Sequence, residues 1–406
     1  MRIPAPEKIY RSTPKRFHFE GATQDKGVPM LPDSQTRQKT KGSSTAGSST
    51  RADSPEILAD LFETAGRPYG QLHPRFRLLR DSALLGPARD LLRQLHAAFH
   101  DRDFVDRFQT TGFDAALFEL FLFAMFKTAG HCVDHSHRDP TFLLTKGETT
   151  VAVDALTVGI PTTGIGQPDI VPPQFAAHDK SASHRQRGGS NGAGCSLFRK
   201  LQQQHWNLPH TAGKPFVIAV QDFDHMELPQ GAPPAAVLHF LFGTQPSHEL
   251  GQIFPEGFFG QSEAENISAI LFCNEATLAK FNRLGQEDHC NHAVRMLRHG
   301  SCLGSDCDSP SPAGFVYEVG ERPEREDWNE GTVLIHNPYA RHPLPRKWLG
   351  ASAELELENG RVVTGFAHGF HPFASTTETL AGDTPEWWLQ RRANLLRKEL
   401  SAHSPG

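Results

Sequence analysis

Apolar residues recur with a helical period in two segments of the first third of the chain. Between residues 86 and 100, Leu91, Leu92, Leu95 and Phe99 fall on one helical face, and Pro87 stands in the favoured first turn. Residues 113–129 are apolar nearly all round, which is typical of a helix buried against a sheet. The pattern predicts an amphipathic helix followed by a buried one.

Strand patterns come next along the chain. Runs rich in β-branched and aromatic residues predict strands at 141–145, at 149–155 after a short turn, and at 215–221, with a helix at 196–206 before the third strand. Further helices are predicted at 233–242, 276–284 and 384–400, and further strands at 267–273, 315–319 and 332–336. This order indicates an α/β (α+β) fold with a mixed central sheet flanked by helices.

The first 53 residues differ in composition from the rest of the chain. They show no hydrophobic period, and a Ser/Thr/Gly-rich run at 39–50 cannot bury enough apolar area to offset its ordering entropy. We therefore predict a disordered basic tail at 1–53. The remainder is predicted to divide into a core at 54–250 and a C-terminal α/β extension at 251–406 packed on it.

Composition narrows the class of protein. The chain has 406 residues, of which 38% are hydrophobic and 21% charged, and this excludes a wholly disordered, collagenous or coiled-coil protein. The longest apolar stretch, at 115–126, contains Glu119 and is shorter than the roughly 20 residues of a membrane span. The charged N-terminus lacks the apolar run of a signal peptide, and the six cysteines form no CxxC. These features predict a cytoplasmic protein with reduced thiols and no membrane contact.

Charge is distributed unevenly. Residues 1–55 carry a net charge of +5, so the remaining residues carry −10. An acidic body argues against a nonspecific nucleic-acid coat, because duplex affinity depends on basic groups that displace counterions. The net negative charge does not exclude a small basic groove that binds nucleic acid.

Two acids in apolar surroundings are the candidate chemistry. Glu119 lies in the apolar helix, and Asp154 follows Val151-Ala-Val153 in a strand. A buried carboxylate needs a cation, a hydrogen-bond donor or a metal. If the helix packs on the hairpin, Glu119 and Asp154 could converge, and converging carboxylates suit Mg²⁺. A salt bridge to a nearby Lys or Arg is the simpler alternative.

The order of a helix with Glu, a hairpin opening Pro-x-Phe and closing Asp-Ala, and then a helix and a strand resembles the restriction-endonuclease-like, or PD-(D/E)XK, superfamily. More narrowly, the motifs at 113–124, 206–220, 281–285, 336–345 and 370–373 resemble a group of uncharacterised bacterial proteins that share this core. The resemblance covers roughly residues 91–373. It implies a restriction-endonuclease-like fold and Mg²⁺-dependent (or Mn²⁺-dependent) hydrolysis of a phosphodiester, with DNA favoured over RNA as the partner.

Position by position, the resemblance assigns Glu119 as the helical acid and Asp154 as the second-strand acid. The chain departs from the motif at Thr141, where the family has Asp, and at Leu156, where it has Lys. The first acid is therefore either replaced by Thr141 or displaced to Asp139, and the predicted metal ligands are Glu119, Asp154 and Asp139. The missing lysine would come from elsewhere in the chain: Lys146 and Lys200 are the candidates.

Basic residues near this site could contact phosphates: Arg185, Arg187 and Arg199. Solvated loop charge is the alternative for them. The departures from the motif also leave open a catalytically inactive pseudo-nuclease that binds nucleic acid or a protein. A zinc hydrolase built on His135 and His137 is a third reading, and a homodimer is left open as well.

Overall fold

The computed structural model describes residues 60–99, 101, 103–158, 189–222, 235–243, 257–289, 294–303, 312–322, 325–359, 361–367, 371–382 and 385–402. Within them the helices are α1 (Pro74–Asp81), α2 (Gly86–Phe99), α3 (Phe104–Gln109), α4 (Phe113–Thr128), α5 (Gly189–Gln203), α6 (Ala235–Phe242), α7 (Leu278–His289) and α8 (Glu386–Ala402). The strands are β1 (Cys132–Asp134), β2 (Phe142–Lys146), β3 (Thr149–Val158), β4 (Phe216–Asp222), β5 (Ala269–Cys273), β6 (Val294–Leu303), β7 (Pro312–Glu318), β8 (Val333–His336), β9 (Ala353–Glu358), β10 (Arg361–Phe366) and β11 (Pro372–Ala381). The predicted helices and strands are all present, and the mixed α/β class is confirmed.

An eight-stranded mixed sheet organises the described residues, in the order β1-β2-β3-β4-β5-β8-β9-β10. β1, β2 and β3 form an antiparallel meander, whereas β3, β4 and β5 run parallel. β8 pairs antiparallel with β5 and parallel with β9, and β10 closes the edge antiparallel to β9. Helix α5 connects the parallel strands β3 and β4, as a crossover requires.

The two faces of this sheet are covered by different helices. Side chains from α2, α4 and α7 pack on the face that carries Val151 and Val153, here called the α4 face. Side chains from α5 and α6 pack on the face that carries Ala152 and Leu156, here called the α5 face. Because successive side chains of a strand point to opposite faces, each sheet residue belongs to one layer only.

The predicted hairpin is a central element of the core. Phe142 pairs with Val153 and Leu144 with Val151, and all four side chains are fully buried in the layer under α4. α4 itself is buried on nearly every side, as its uniform apolar sequence predicts. None of the described helices has the length and apolar character needed to cross a bilayer.

A second sheet, in the order β11-β6-β7, packs against α8. Trp388 of α8 is fully buried against Leu297 of β6. The described residues of 57–406 belong to one compact unit. The large sheet takes strands from both sides of the predicted boundary at residue 250, and that boundary and the predicted tail lie outside the described residues.

Candidate functional site

Asp154 is a buried acid in the middle of β3, with only 4% of its side chain exposed. It lies two residues from both Ala152 and Leu156 and shares their side of the strand, so its carboxylate points to the α5 face of the sheet. An ionised carboxylate in such a position has to be compensated by donors or cations. The structure supplies three partners.

A lysine, a histidine and a threonine bind the Asp154 carboxylate. Lys200 Nζ lies 2.9 Å from Oδ2, and His205 Nδ1 lies 3.1 Å from the same oxygen. Thr141 Oγ1 lies 3.4 Å from Oδ1 and accepts a 2.9 Å hydrogen bond from the backbone N–H of Ala155. The predicted candidate Lys200 therefore does reach Asp154.

Local sequence explains how Lys200 and His205 arrive at this carboxylate. Leu197 and Leu201 of α5 are buried against the sheet, which directs the intervening helical turn toward β3. After the helix, Gln204 takes a left-handed conformation with φ of 52°, and His205 begins a short 3-10 turn. Thr211 Oγ1 donates a 2.6 Å hydrogen bond to the His205 carbonyl and holds that turn in place.

The partners shift the protonation of both acid and base. Burial by itself raises the pKa of Asp154, but the hydrogen bonds and charges of His205 and Lys200 outweigh burial and bring the pKa below its usual value. The hydrogen bond to Asp154 raises the pKa of His205 above its usual value, although burial opposes the shift. Asp154 is thus held as a carboxylate, and His205 holds its proton more tightly than a free imidazole.

Asp139 supplies a second carboxylate at the rim of this cluster. Its Oδ1 lies 3.9 Å from His205 Nδ1, and 47% of its side chain is exposed. His210 Nε2 lies 2.7 Å from the Asp139 carbonyl oxygen, and the His210 ring stacks on His137 at 3.9 Å. Asp139, Thr141, Asp154, Lys200 and His205 together are called the Asp154 site below.

Glu119 does not belong to this site. Its carboxylate forms a bidentate pair with the Arg107 guanidinium of α3, at 2.8 and 2.9 Å. It sits on α4, whereas Asp154 points to the opposite face of the sheet. The expectation that Glu119 and Asp154 share one metal ion is therefore wrong, because a cation on the neighbouring helix already compensates Glu119.

The other predicted basic residues are placed differently. Lys146 lies at the turn end of the hairpin, opposite the end that holds Asp154, and its Nζ donates a 2.8 Å hydrogen bond to the Ala129 carbonyl. It is therefore not the lysine of the site. Arg199 is exposed on α5 next to Lys200, and Arg185 and Arg187 lie outside the described residues.

The two histidines of the zinc-hydrolase alternative have structural neighbours. His135 stacks on Phe99 at 4.4 Å, and its Nε2 bonds the Phe99 backbone carbonyl. His137 stacks on His210. His135 is therefore held by stacking and a hydrogen bond, and His137 by stacking.

The donor chemistry of the Asp154 site fits Mg²⁺ in part. Asp154 and Asp139 offer the carboxylate oxygens that this ion prefers, and Asp154 Oδ1 makes only a long contact with Thr141 among the described residues. Lys200 and His205, however, already neutralise Oδ2. In the part of the chain that the structure describes, three ligand atoms lie within 4.8 Å of one another only at a different place, His336, Glu354 and Glu356.

Comparison of the chain with family models, curated proteins and solved structures finds no significant match. The site is therefore interpreted from its own residues. His205 is the member of the site that sequence reasoning misses, because a histidine after a helix carries no pattern that points to a strand 51 residues earlier.

Proposed function

We propose that this protein is nuclease-like and hydrolyses a phosphodiester of nucleic acid at the Asp154 site, with Mg²⁺ (or Mn²⁺) as cofactor. The observation that carries the proposal is the buried Asp154 carboxylate with the Lys200 ammonium 2.9 Å away. An acid on a central strand with a lysine beside it is the pair that the resemblance to the PD-(D/E)XK superfamily implies. Here the lysine comes from α5 and not from the strand.

The order of elements supports the same proposal. The helix α4, the antiparallel meander β1-β2-β3, the crossover helix α5 and the parallel strand β4 follow one another in the order that the resemblance implies for a core of this kind. Thr141, which precedes β2, contacts Asp154 directly, so the start of one hairpin strand meets the acid of the other. Asp139 stands two residues before Thr141.

Each residue of the site has a role in the proposed reaction. Asp154 and Asp139 would hold the metal ion, which supplies an activated water and neutralises phosphate charge when bound. The Lys200 ammonium would stabilise negative charge that develops on the scissile phosphate. His205 would keep a proton at Nδ1 and hold Asp154 in place, and Arg199 would contact the nucleic-acid backbone from the exposed side of α5.

A cleavage assay with matched lysine variants tests this function. Purified protein is incubated with circular DNA, linear DNA and RNA in Mg²⁺, Mn²⁺ or EDTA. We expect metal-dependent cleavage by the wild type, its loss in Asp154→Asn and Lys200→Met, and its retention in Lys146→Met, because Lys146 lies away from the site. Cleavage that survives both Asp154→Asn and Lys200→Met would place the chemistry elsewhere and overturn the proposal.

A pseudo-nuclease that binds nucleic acid without cleaving it is the second candidate. Thr141 and Leu156 stand where the family motif has Asp and Lys, and Lys200 with His205 already neutralise the remaining acid. In the same samples, binding of labelled DNA or RNA without cleavage in any metal would favour this candidate. If the protein neither binds nor cleaves nucleic acid, both candidate functions are rejected.

A further inference from the structure

A second group of titratable side chains lies on the other face of the large sheet. His336 ends β8, and Glu354 and Glu356 belong to β9, which pairs with β8 in parallel. His336 lies two residues after Leu334 and shares its face, whereas Glu354 and Glu356 alternate with the buried Ala353 and Leu355 of the α5 face, so all three side chains point to the α4 face. Asp154 points to the opposite face, so this group is separate from the Asp154 site.

The spacing of the three side chains suits one metal ion. His336 Nε2 lies 3.4 Å from Glu354 Oε2 and 4.0 Å from Glu356 Oε1, and all three ligand atoms lie within 4.8 Å of one another. Ligand atoms that are each about 2.1 Å from a zinc-like ion are roughly 3–3.5 Å apart at tetrahedral angles. An ordinary N–H···O hydrogen bond has a shorter donor–acceptor distance of about 2.9 Å. The 3.4 Å separation of His336 and Glu354 falls in this range, and the 4.0 Å separation of His336 and Glu356 is slightly longer, so small side-chain movements would bring the three ligand atoms around a common centre.

Neighbouring groups hold the carboxylates of Glu354 and Glu356 in position and leave an oxygen of each able to bind a metal ion. The backbone N–H of Lys347 donates to Glu354 Oε1 and Oε2, at 2.8 and 3.0 Å, from a left-handed conformation with φ of 58°. Arg346 contacts Glu356 through Oε2, whereas the Glu356 oxygen near His336 is Oε1, and Arg346 also contacts Glu358 at 3.1 Å. Since a carboxylate oxygen has two lone pairs, Glu354 Oε2 and Glu356 Oε1 keep the capacity to bind a metal. Such outer hydrogen bonds are usual for metal-binding carboxylates.

We propose that His336, Glu354 and Glu356 form a binding site for a divalent transition-metal ion of the Zn²⁺ class. The imidazole nitrogen selects such an ion over Mg²⁺ and Ca²⁺, which prefer oxygen ligands only. All three side chains are mostly covered, with exposed fractions of 13%, 12% and 22%, and all stand on central strands. Three protein ligands leave a coordination position for water or for a small anionic ligand.

Metal titration of the full chain tests the site. Protein freed of metal by EDTA and dialysis is titrated with Co²⁺, whose visible d–d absorption reports nitrogen and oxygen ligation, and with Zn²⁺ by calorimetry. Mg²⁺ serves as the ion that should not compete. We expect Glu356→Gln and His336→Asn to weaken Zn²⁺ binding at this site by more than about tenfold and to remove the Co²⁺ bands.

Two control variants keep the outcome specific. Glu358→Gln changes a neighbouring acid that also contacts Arg346, and Asp154→Asn changes the separate site, so both should retain Co²⁺ bands and Zn²⁺ affinity. Thermal unfolding of each variant without metal checks that it folds, and saturating Zn²⁺ should raise the Tm of the wild type but not of His336→Asn. Equal Zn²⁺ affinity in the wild type and His336→Asn would overturn the proposal, whatever the cleavage assay shows.

Discussion

His371 is a buried imidazole with 2% of its surface exposed, and its Nδ1 lies 2.9 Å from Ser352 Oγ. Ser352 Oγ also lies 2.9 Å from the Thr332 carbonyl oxygen, which can only accept. The single hydroxyl proton of Ser352 therefore goes to Thr332, and His371 must carry its own proton on Nδ1. The ring is held as a neutral donor in this pocket.

This environment predicts a pH-dependent stability. Burial lowers the pKa of His371 from 6.5 to about 4, so between these values the unfolded chain binds a proton that the folded chain does not. The neutral His371 ring therefore contributes to the free energy of unfolding above pH 6.5, and this contribution is lost as the pH falls through about 4. The loss is on the order of 3 kcal/mol. Denaturant unfolding of the wild type at pH 7 and pH 4.5, beside His371→Asn, measures it. The variant should lose less stability on acidification, and an identical loss would contradict the assignment.

At the scale of elements, α2 and α7 are packed unusually closely through a glycine. A Cβ on Gly285 of α7 would lie 2.2 Å from the Pro87 carbonyl oxygen of α2 and 3.3 Å from Leu91 Cβ. Asn282, one turn earlier, accepts from the Ala88 N–H of α2 at 3.1 Å and donates at 2.9 Å to the carbonyl of Leu84, in the short 3-10 turn that precedes α2. Backbone contact between the helices depends on the missing side chain.

Gly285→Ala should therefore destabilise the protein, although alanine favours helix by about 1 kcal/mol over glycine. Overpacking against the Pro87 backbone is expected to cost on the order of 1–3 kcal/mol. Gly70→Ala is the matched control, because a Cβ there would meet nothing within 4 Å. Chemical denaturation of both variants checks the prediction, and a Gly285→Ala protein as stable as the wild type would show that the helices can separate at little cost.

At the scale of the whole molecule, a buried ionic cluster joins the large sheet's helix layer to the second sheet. Glu326 is bound by the Arg283 guanidinium of α7 through two 2.8 Å hydrogen bonds and lies 3.2 Å from Arg298 Nη1 of β6. Lys280 Nζ of α7 lies 3.3 Å away. Burial would raise the pKa of Glu326, but these three cations hold it well below its usual range.

Removing this one carboxylate should loosen the junction. Glu326→Gln leaves buried guanidinium groups without their main counter-charge, and breaking such a pair costs roughly 3–5 kcal/mol. Glu321→Gln is the control, because Glu321 is half exposed in its pair with Arg392 and such surface pairs contribute about 0–1 kcal/mol. Urea unfolding of the two variants gives the comparison. Equal stability of the two would mean that the cluster does not hold the sheets together.

Local pattern was sufficient to predict most elements of this fold. The pattern predicts the bounds of α4, β2 and β3 within a few residues, because helical and strand periods appear in the order of neighbouring apolar and polar residues. The pattern does not predict the strands β1, β6, β9, β10 and β11 or the short helices α1 and α3. The exposed positions of β10 and the half-buried positions of β11 weaken the strand period there. Pairing order, including β8 beside both β5 and β9, carries no local signal.

The sequence by itself determined that Asp154 and Glu119 would need partners, because an acid among apolar residues is costly wherever the chain folds. Only the tertiary structure decided which partners they received. The packing of α5 brought Lys200 and His205 to Asp154, whereas α3 brought Arg107 to Glu119 on the other face. The group of His336, Glu354 and Glu356 likewise exists only because β8 and β9 pair in one register. Periodicity is a property of neighbours in the chain, and charge compensation is a property of neighbours in space.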